Sequence, residues 1–306
     1  MRKTKLFAAV FALLTAFAAS AAAEPKEIAT REQLEAVRLA PEGAYVLTAD
    51  IDLAGAPWEP LVLSGSFDGN GHTVSNIELT ATNAPVRTTK DGNKKEYKTA
   101  CIGFFGALDG AAVKDLTLAN VTADIRGTEN AFLGGLAGWM DAASVEGCSV
   151  TGTLRLVSSG KIAGIAGIAG YGDGKIANCV AEVSLSIGDD AETTPTEQFL
   201  GGVLACGHAD ISGCTVRLDA LSAVWGYCHD GGLVGMFAVL KKDGFRRYRV
   251  TDCTVEATIR FFEKGPARRA YCKPFLGEQL HEKVSVSHNK KTFLKEEMKE
   301  YPQELR

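Results

Sequence analysis

The amino-acid sequence predicts an all-β fold, a solenoid of parallel β-strands, and three observations support this prediction. A glycine-rich pentapeptide recurs along the chain, and a short β pattern follows each clear copy. Glycine is also abundant and proline scarce, at 33 and 9 of 306 residues. Units of roughly 30 residues with two or three short strands cannot bury a core alone, so they must stack on their neighbours. Parallel stacking of equivalent strands places successive coils about 4.8 Å apart.

The repeated pentapeptide reads glycine, glycine, two apolar residues and glycine in its clearest copies. Glycine at one place in every unit indicates a tight corner or a positive φ in each coil. A propeller is an alternative, but its blades usually need four strands in about 40 residues, more than these units offer. A β-sandwich is the other alternative. The copies begin at Ile102, Gly134, Ala163, Gly201, Gly231 and, in degraded form, Lys273.

Four of the eight cysteines share one position in the β pattern that follows the pentapeptide. We expect them to form an inward-facing ladder with one rung per coil, and Leu116 takes this place in the first unit. Neighbouring rungs lie within disulfide range, but in-register strands aim their Cβ atoms alike, so buried thiols are favoured over disulfides. The four are Cys148, Cys179, Cys214 and Cys253.

The other four cysteines lie outside this ladder. Cys101 and Cys272 each precede a copy of the pentapeptide, but five coil steps separate them, roughly 24 Å, so they should not pair. Cys206 and Cys228 lie in adjacent units and are the best candidates for a disulfide in an exported chain. A Cys228–Cys272 bridge is the competing choice.

Together these features resemble a known family. The segment Gly231-Gly232-Leu233-Val234-Gly235, with its downstream cysteine strand, resembles the GLUG repeat of bacterial surface and secreted proteins. The segments 45–53 and 67–77 resemble the opening part of such proteins. The resemblance implies a right-handed, pectin-lyase-like parallel β-helix exposed outside the cell, often in adhesin-like or protease-associated architectures. It indicates the fold well and the activity poorly.

The N-terminus is typical of an export signal. A basic start is followed by the apolar run Leu6–Phe17 and the small residues Ala21-Ala22-Ala23, so we assign 1–23 as a signal peptide. The run is too short to span a membrane, and no later stretch is long enough. We therefore expect a secreted, periplasmic or cell-surface protein without an integral membrane segment after cleavage; an uncleaved N-terminal anchor is the alternative.

The mature part divides into a cap, a solenoid and a tail. Residues 24–44 should hold a short capping helix that begins at Thr30, with Gln33 completing a capping box. Residues 45–262 carry the β-helix repeats, and 263–306 a degenerate last coil and a partly helical tail. Phe293, Leu294 and Met298 have helical spacing and predict a helix over 292–301.

Charge and motifs exclude several functions. Without its first 23 residues the chain holds 30 basic and 37 acidic residues, a net charge of −7, which disfavours nucleic acid as a partner. A Cys₂His₂ zinc site near Cys206 and Cys228 has non-standard spacing. A Cys228-His229-Asp230 nucleophile would need successive strand residues on one face. We therefore predict no catalytic residue, metal or cofactor.

The carboxylates and aromatic residues outside the repeat have structural interpretations as well as functional ones. Asp50, Asp52 and Asp68 are the natural carboxylates for a polysaccharide-cleaving groove, yet Asp68 opens a strong turn signature and His72 follows it. Aromatic residues at the coil corners could stack on sugars or peptides, or merely cover glycine turns. They are Trp58, Trp139, Tyr171, Trp225 and Tyr227.

A basic insertion is the strongest single interaction candidate in this acidic protein, with a plain solvated hairpin as the alternative. We expect a non-enzymatic binding or adhesion protein that contacts a glycan or a host or surface protein. The alternatives are a polysaccharide-cleaving enzyme of the pectin-lyase-like type and a structural spacer of the cell envelope. The insertion contributes Lys241, Lys242, Phe245, Arg246, Arg247, Tyr248 and Arg249.

Overall fold

The computed structural model confirms the parallel β-solenoid, with about five turns. It describes residues 24–90, 95–188, 197–224, 226–237, 248–263, 269–279 and 284–298. These residues form three sheets: the coils from Val86 onward contribute a segment to each sheet in turn, and the earlier coils contribute to two of them. In the described part, no helix has the length and apolar character that a membrane crossing requires.

Sheet 1 contains β1 Lys26–Ile28, β2 Ala44–Leu47, β5 Leu61–Leu63, β6 Ser66–Asp68, β10 Phe105–Asp109, β11 Ala112–Lys114, β14 Ala137–Glu146, β17 Ala169–Ala177, β20 Leu204–Ser212, β23 Val234–Phe237, β24 Tyr248–Thr251, β27 Leu276–Gln279 and β28 Val284–Ser287. Sheet 2 contains β3 Ile51–Asp52, β4 Pro57–Trp58, β7 Thr73–Leu79, β12 Thr117–Thr128, β15 Ser149–Ser158, β18 Val180–Ile187, β21 Thr215–Val224, β25 Thr254–Glu263 and β29 Lys290–Met298. Sheet 3 contains β8 Val86–Lys90, β9 Glu96–Ile102, β13 Ala131–Gly134, β16 Ile162–Ala166, β19 Glu197–Gly201, β22 Tyr227–Gly231 and β26 Arg269–Lys273.

Strands of successive coils pair in parallel, with register shifts at bulges such as those between β12 and β15. In sheet 2, β12, β15, β18, β21, β25 and β29 follow one another, so equivalent residues form columns along the solenoid axis. The hairpin of β8 and β9 is antiparallel and lies at one edge of sheet 3. This register decides which side chains meet, because residues far apart in sequence become neighbours about 4.8 Å apart.

The N-terminal cap contains both a helix and a strand. Helix α1, Arg31–Glu35, begins after Thr30, whose side chain accepts a hydrogen bond from the Gln33 amide while Gln33 bonds back to the Thr30 amide. This is the predicted capping box. A 3₁₀ turn, Ala36–Leu39, follows. Strand β1 precedes the helix and pairs with β2, so the solenoid starts earlier than the predicted boundary at residue 45.

The predicted helix over 292–301 is wrong where the structure describes it. The segment Lys290–Met298 is strand β29, which pairs residue by residue with β25 of the preceding coil. The free edge of β25 supplies backbone partners that outweigh the local helical spacing. Phe293 packs partly against the core, whereas its neighbour Leu294 is 51% exposed, the alternation of a strand. The coils therefore continue to Met298.

The glycines of the pentapeptide are required for close approach between coils. A Cβ on Gly135 would lie 2.5 Å from the carbonyl oxygen of Gly167, and the same contact recurs from Gly167 to Gly202 and from Gly202 to Gly232. These glycines do not have positive φ. A left-handed residue recurs instead directly before the ladder position, such as Asn178 at φ 54°. The close approach of coils and the positive φ, which the sequence assigned to one glycine position, are thus supplied by two different positions of the coil.

The core fills the inside of the coils and includes the thiol ladder. Each ladder cysteine is buried and its Sγ donates to the carbonyl two residues earlier, as Cys179 does to Ala177 at 3.2 Å. Hydrogen bonding from the neighbouring rung, together with burial, raises the pKa of Cys179 and of Cys214 to about 12. All eight cysteines are free thiols. The four rungs are Cys148, Cys179, Cys214 and Cys253.

Candidate functional site

The outer face of sheet 2 forms a trough along the solenoid axis. Its middle column carries short side chains, because Thr153, Ser184, Asp219 and Thr258 pair in register through four strands. Longer side chains stand beside most of these residues, two positions earlier or two positions later along the strand, and they are Glu182, Arg217, Glu256, Arg155, Leu221 and Arg260. Short residues between long ones leave a depression, which no interior packing fills because these positions face away from the core.

One side of the trough is a column of alternating charges. Glu182, Arg217 and Glu256 are direct neighbours on successive strands. The Arg217 guanidinium contacts the Glu182 carboxylate and lies 3.5 Å from the carboxylate of Glu256. Opposite charges placed directly across parallel strands attract one another. Two carboxylates to one arginine make this the acidic side of the trough.

The other side of the trough is rich in arginine. Arg155 and Arg260 belong to the column two residues beyond the middle one, and Arg126 stands near its start. Arg126 lies 2.9 Å from Asp124, and Arg260 contacts Asp219 of the middle column. Arg155 is almost fully buried, at 8% exposure, so its position is well fixed.

These columns enclose two adjoining depressions of about 590 and 450 Å³. Ser184 and Asp219 line both of them, so the depressions join over the middle column. Their lining residues extend from Ala123 on β12 to Leu294 on β29, five coil steps or roughly 24 Å. The trough thus has the length for an extended chain and a polar surface for hydrogen bonds.

The trough carboxylates are suited to binding. Glu182, Asp219 and Glu256 are 42%, 53% and 56% exposed, and each contacts an arginine. A general acid at neutral pH usually needs a buried carboxyl whose pKa is raised by the loss of water. Solvated, ion-paired carboxylates can accept hydrogen bonds from hydroxyl and N–H groups without transferring a proton. The trough carboxylates are therefore available as hydrogen-bond acceptors.

The predicted basic insertion falls mostly outside the described residues, which exclude 238–247 and with them Lys241, Lys242, Phe245, Arg246 and Arg247. Its last two members are visible. Tyr248 is buried and packs against Phe237 and His208, so it belongs to the core and does not offer a surface ring. Arg249 is exposed, and its backbone amide donates to Asp210.

The structure does not join Cys206 to Cys228. Cys206 is on sheet 1, buried in an aromatic cluster with Phe132 and Phe199. Cys228 is on sheet 3, and its Sγ donates to the side-chain oxygen of Gln198 at 3.3 Å. Both are free thiols, as is Cys272 of the competing pair. Burial raises the pKa of Cys206, which makes it a poor nucleophile.

The sequence Cys228-His229-Asp230 does not assemble a catalytic triad. The His229 ring is stacked between Phe199 and Tyr271. Asp230 is the cross-strand neighbour of the core residue Leu200 and therefore points to the other face of the strand. Burial lowers the pKa of His229 to about 4 and raises the pKa of Asp230 to about 7. The described residues also contain no group of three or more His, Cys, Asp or Glu side chains placed to hold a metal ion.

The aromatic residues predicted at the corners lie within strands where the structure describes them, and most of them stack on other rings. Trp139 and Tyr171 lie on successive strands with their rings 4.1 Å apart and nearly parallel, so these faces are already occupied. Trp58 is buried on Phe104 and donates to its carbonyl oxygen. Such rings serve the packing of the coils. Trp225 lies outside the described residues, and Tyr227 is half-buried on β22.

The early carboxylates shape turns. The Asp50 carboxylate accepts from the Thr73 amide at 2.8 Å and lies 3.2 Å from His72, and these contacts hold the pKa of Asp50 below its usual value. Asp52 accepts from Asn76 and from the Ala54 amide, which lowers its pKa as well. The sequence suggested these residues as groove carboxylates, and it missed those of the trough, which become neighbours only through the register.

Comparison with known proteins supports the fold. No family model matches the chain, and no curated protein matches it in sequence. A solved structure from Bacteroides ovatus, provisionally assigned as an immunoglobulin A1 protease, is similar with a TM-score of 0.54 and 15% identity. The match covers 90% of this chain and 84% of that one. At this identity the likeness extends to the fold alone, so the chain shares its architecture with that protein.

Proposed function

We propose that this protein is an exported, non-enzymatic binding protein that holds an extended glycan in the trough of sheet 2. The trough itself carries the proposal: a continuous depression with hydroxyl groups and the Asp219 carboxylate in the middle and charged side chains on both sides. Sugar hydroxyls both donate and accept hydrogen bonds, which such a surface satisfies along its whole length. The signal-type N-terminus and the resemblance to GLUG repeats support a location outside the cytoplasm.

The assigned activity of the Bacteroides neighbour is not part of this proposal. Many proteases use a nucleophilic side chain or a metal ion with an activating partner. Among the described residues, the pKa values of six cysteines are raised, chiefly by burial or by hydrogen bonds from neighbouring thiols, and no group of three or more His, Cys, Asp or Glu side chains is placed to hold a metal ion. A rigid β-helix that presents a binding face is the simpler function for these residues.

A glycan and extracellular-matrix protein array tests the proposal with two matched variants. Ser184→Tyr places a large side chain in the middle of the trough, and Ser144→Tyr places the same side chain on sheet 1. We expect wild type and Ser144→Tyr to bind the same glycans and Ser184→Tyr to lose at least about tenfold in affinity. Equal binding by all three proteins would show that the trough is not the binding site. Binding to a matrix protein alone would show that the ligand is not a glycan.

Polysaccharide cleavage is a second candidate, because Glu182, Asp219 and Glu256 face the same depression beside Arg217. Incubation of the glycans bound on the array with wild type and with Asp219→Asn, followed by product analysis, separates the two functions. New reducing ends or unsaturated products from the wild type alone would establish an enzyme. Unchanged glycan supports binding only.

A further inference from the structure

The two sides of the trough differ in charge, and this difference specifies the ligand further. The larger depression is lined by three carboxylates, Glu182, Asp219 and Glu256, and by one arginine, Arg217. The smaller one is lined by three arginines against the two carboxylates of Asp124 and Asp219. Asp219 lies where the two depressions join, so it is included in the lining of both. The acidic side and the arginine side are four residues apart along each strand, about 13 Å.

Each side retains capacity for a ligand after its internal ion pairs form. Arg217 contacts both Glu182 and Glu256, so one cation is shared by two anions, and each carboxylate has further lone pairs for donors. On the other side, the guanidinium groups of Arg126 and Arg260 are 47% and 35% exposed, and each has five N–H donors. The exposed ion pairs are also weak, so a ligand group can join or replace them at little cost.

We propose that the trough recognises a linear glycan that carries carboxylate groups along one edge and ammonium groups along the other. The carboxylates face Arg126 and Arg260, and the ammonium groups face Glu182 and Glu256. This inference deepens the proposed function and rests on it. A purely anionic glycan would place its charges against the acidic side as well, and a purely cationic one would meet the arginines.

Carboxymethylated chitosan oligomers supply a suitable probe, because they hold free amines and carboxylates on one chain. The N-acetylated oligomer lacks the ammonium groups, and the methyl-esterified oligomer lacks the carboxylates. We expect titration calorimetry to show the parent oligomer binding wild type most tightly. Each modification should weaken binding roughly fivefold or more, as expected for the loss of complementary charge contacts.

Two double variants then assign each effect to one side of the trough. Glu182→Gln with Glu256→Gln should reduce the effect of N-acetylation to below about twofold and leave the effect of esterification unchanged. Arg126→Gln with Arg260→Gln should do the reverse. A control pair from sheet 1, Glu146→Gln with Lys175→Gln, removes an exposed ion pair of 3.3 Å and should change neither effect. Circular dichroism and thermal unfolding verify the fold of all variants.

Three results would overturn this inference: equal affinity for the three oligomers, equal changes of both effects in both trough variants, or no binding of the parent oligomer. The array experiment is independent of it. If array glycans bind and Ser184→Tyr abolishes their binding while the oligomers are not distinguished, the charge assignment fails and the proposed function stands. If Ser184→Tyr also binds array glycans normally, both fail.

Discussion

The inside of the solenoid and the outer face of sheet 2 use the same register in opposite ways. An inside column keeps its chemistry from coil to coil, as Val150, Ala181, Val216 and Val255 show. An outer column changes at each coil, as Thr153, Ser184, Asp219 and Thr258 show. Inside, a stacked neighbour must fit closely packed surroundings. Outside, water accepts any polar side chain, so ligand recognition can be built there without cost to the fold.

The largest expected effect of burial inside the solenoid is on the reactivity of the thiol ladder. Because the pKa values of Cys179 and Cys214 are about 12, their thiolate fraction at pH 8 is far below that of an ordinary cysteine. We expect these two to react with a maleimide at least about 1000-fold more slowly in the native protein than in denaturant. Peptide mapping after timed labelling measures both rates. Rapid native labelling, or a thiol blocked in denaturant, would contradict the buried free ladder.

Asp230 is a buried acidic residue in a mostly apolar interior. Its burial predicts that the stability of the fold depends on pH. Burial raises its pKa from 3.8 to about 7, so the folded state keeps the proton that the unfolded state releases. Its contribution to stability is full below pH 4 and is lost as pH rises through 7, on the order of 4 kcal/mol.

The substitution Asp230→Asn should therefore leave stability near pH 4 little changed and increase it at pH 8. Urea unfolding of both proteins at several pH values gives the difference between their free energies of unfolding. The titration of all other groups cancels in this difference because both proteins share them. A difference that does not vary with pH would show that Asp230 ionises freely in the folded protein.

The glycine corner should tolerate even one methyl group poorly. The Cβ of Gly135→Ala would lie 2.5 Å from the Gly167 carbonyl oxygen and 2.6 Å from a methyl group of Val150, so two coils must move apart. We expect a loss of about 2–3 kcal/mol in the free energy of unfolding. The same substitution at Gly71, where the added Cβ would have open space but φ is +77°, separates contact from backbone strain. An equal or larger loss at Gly71 would argue against the contact.

The outer face should show the smallest effect on stability. Thr153→Val and Ser184→Thr change exposed strand positions without altering the core, and we expect shifts in the free energy of unfolding within about 0.5 kcal/mol. Denaturant unfolding under the conditions used for Gly135→Ala makes the comparison direct. A loss above about 1.5 kcal/mol at either position would mean that the trough is part of the folding framework.

The sequence predicted those features of the fold that depend on local residue patterns. The pentapeptide, the cysteine positions and the Thr30 capping box indicated the coil, its ladder and its N-terminal helix. The last strand was missed because Phe293, Leu294 and Met298 fit helical spacing, and only the free edge of β25 decides otherwise. The trough was missed for a related reason: Glu182, Arg217 and Glu256 become neighbours only once three strands are in register.

Hydroxyl-radical footprinting with the tightest array glycan tests most directly whether the trough is the binding face. Leu294 lies at one end of the trough and is 51% exposed, while Leu39 and Val86, at 87% and 55%, lie elsewhere and serve as internal controls. We predict that the glycan lowers the oxidation of Leu294 and leaves Leu39 and Val86 unchanged. Protection of the two controls, with Leu294 oxidised as before, would contradict the account.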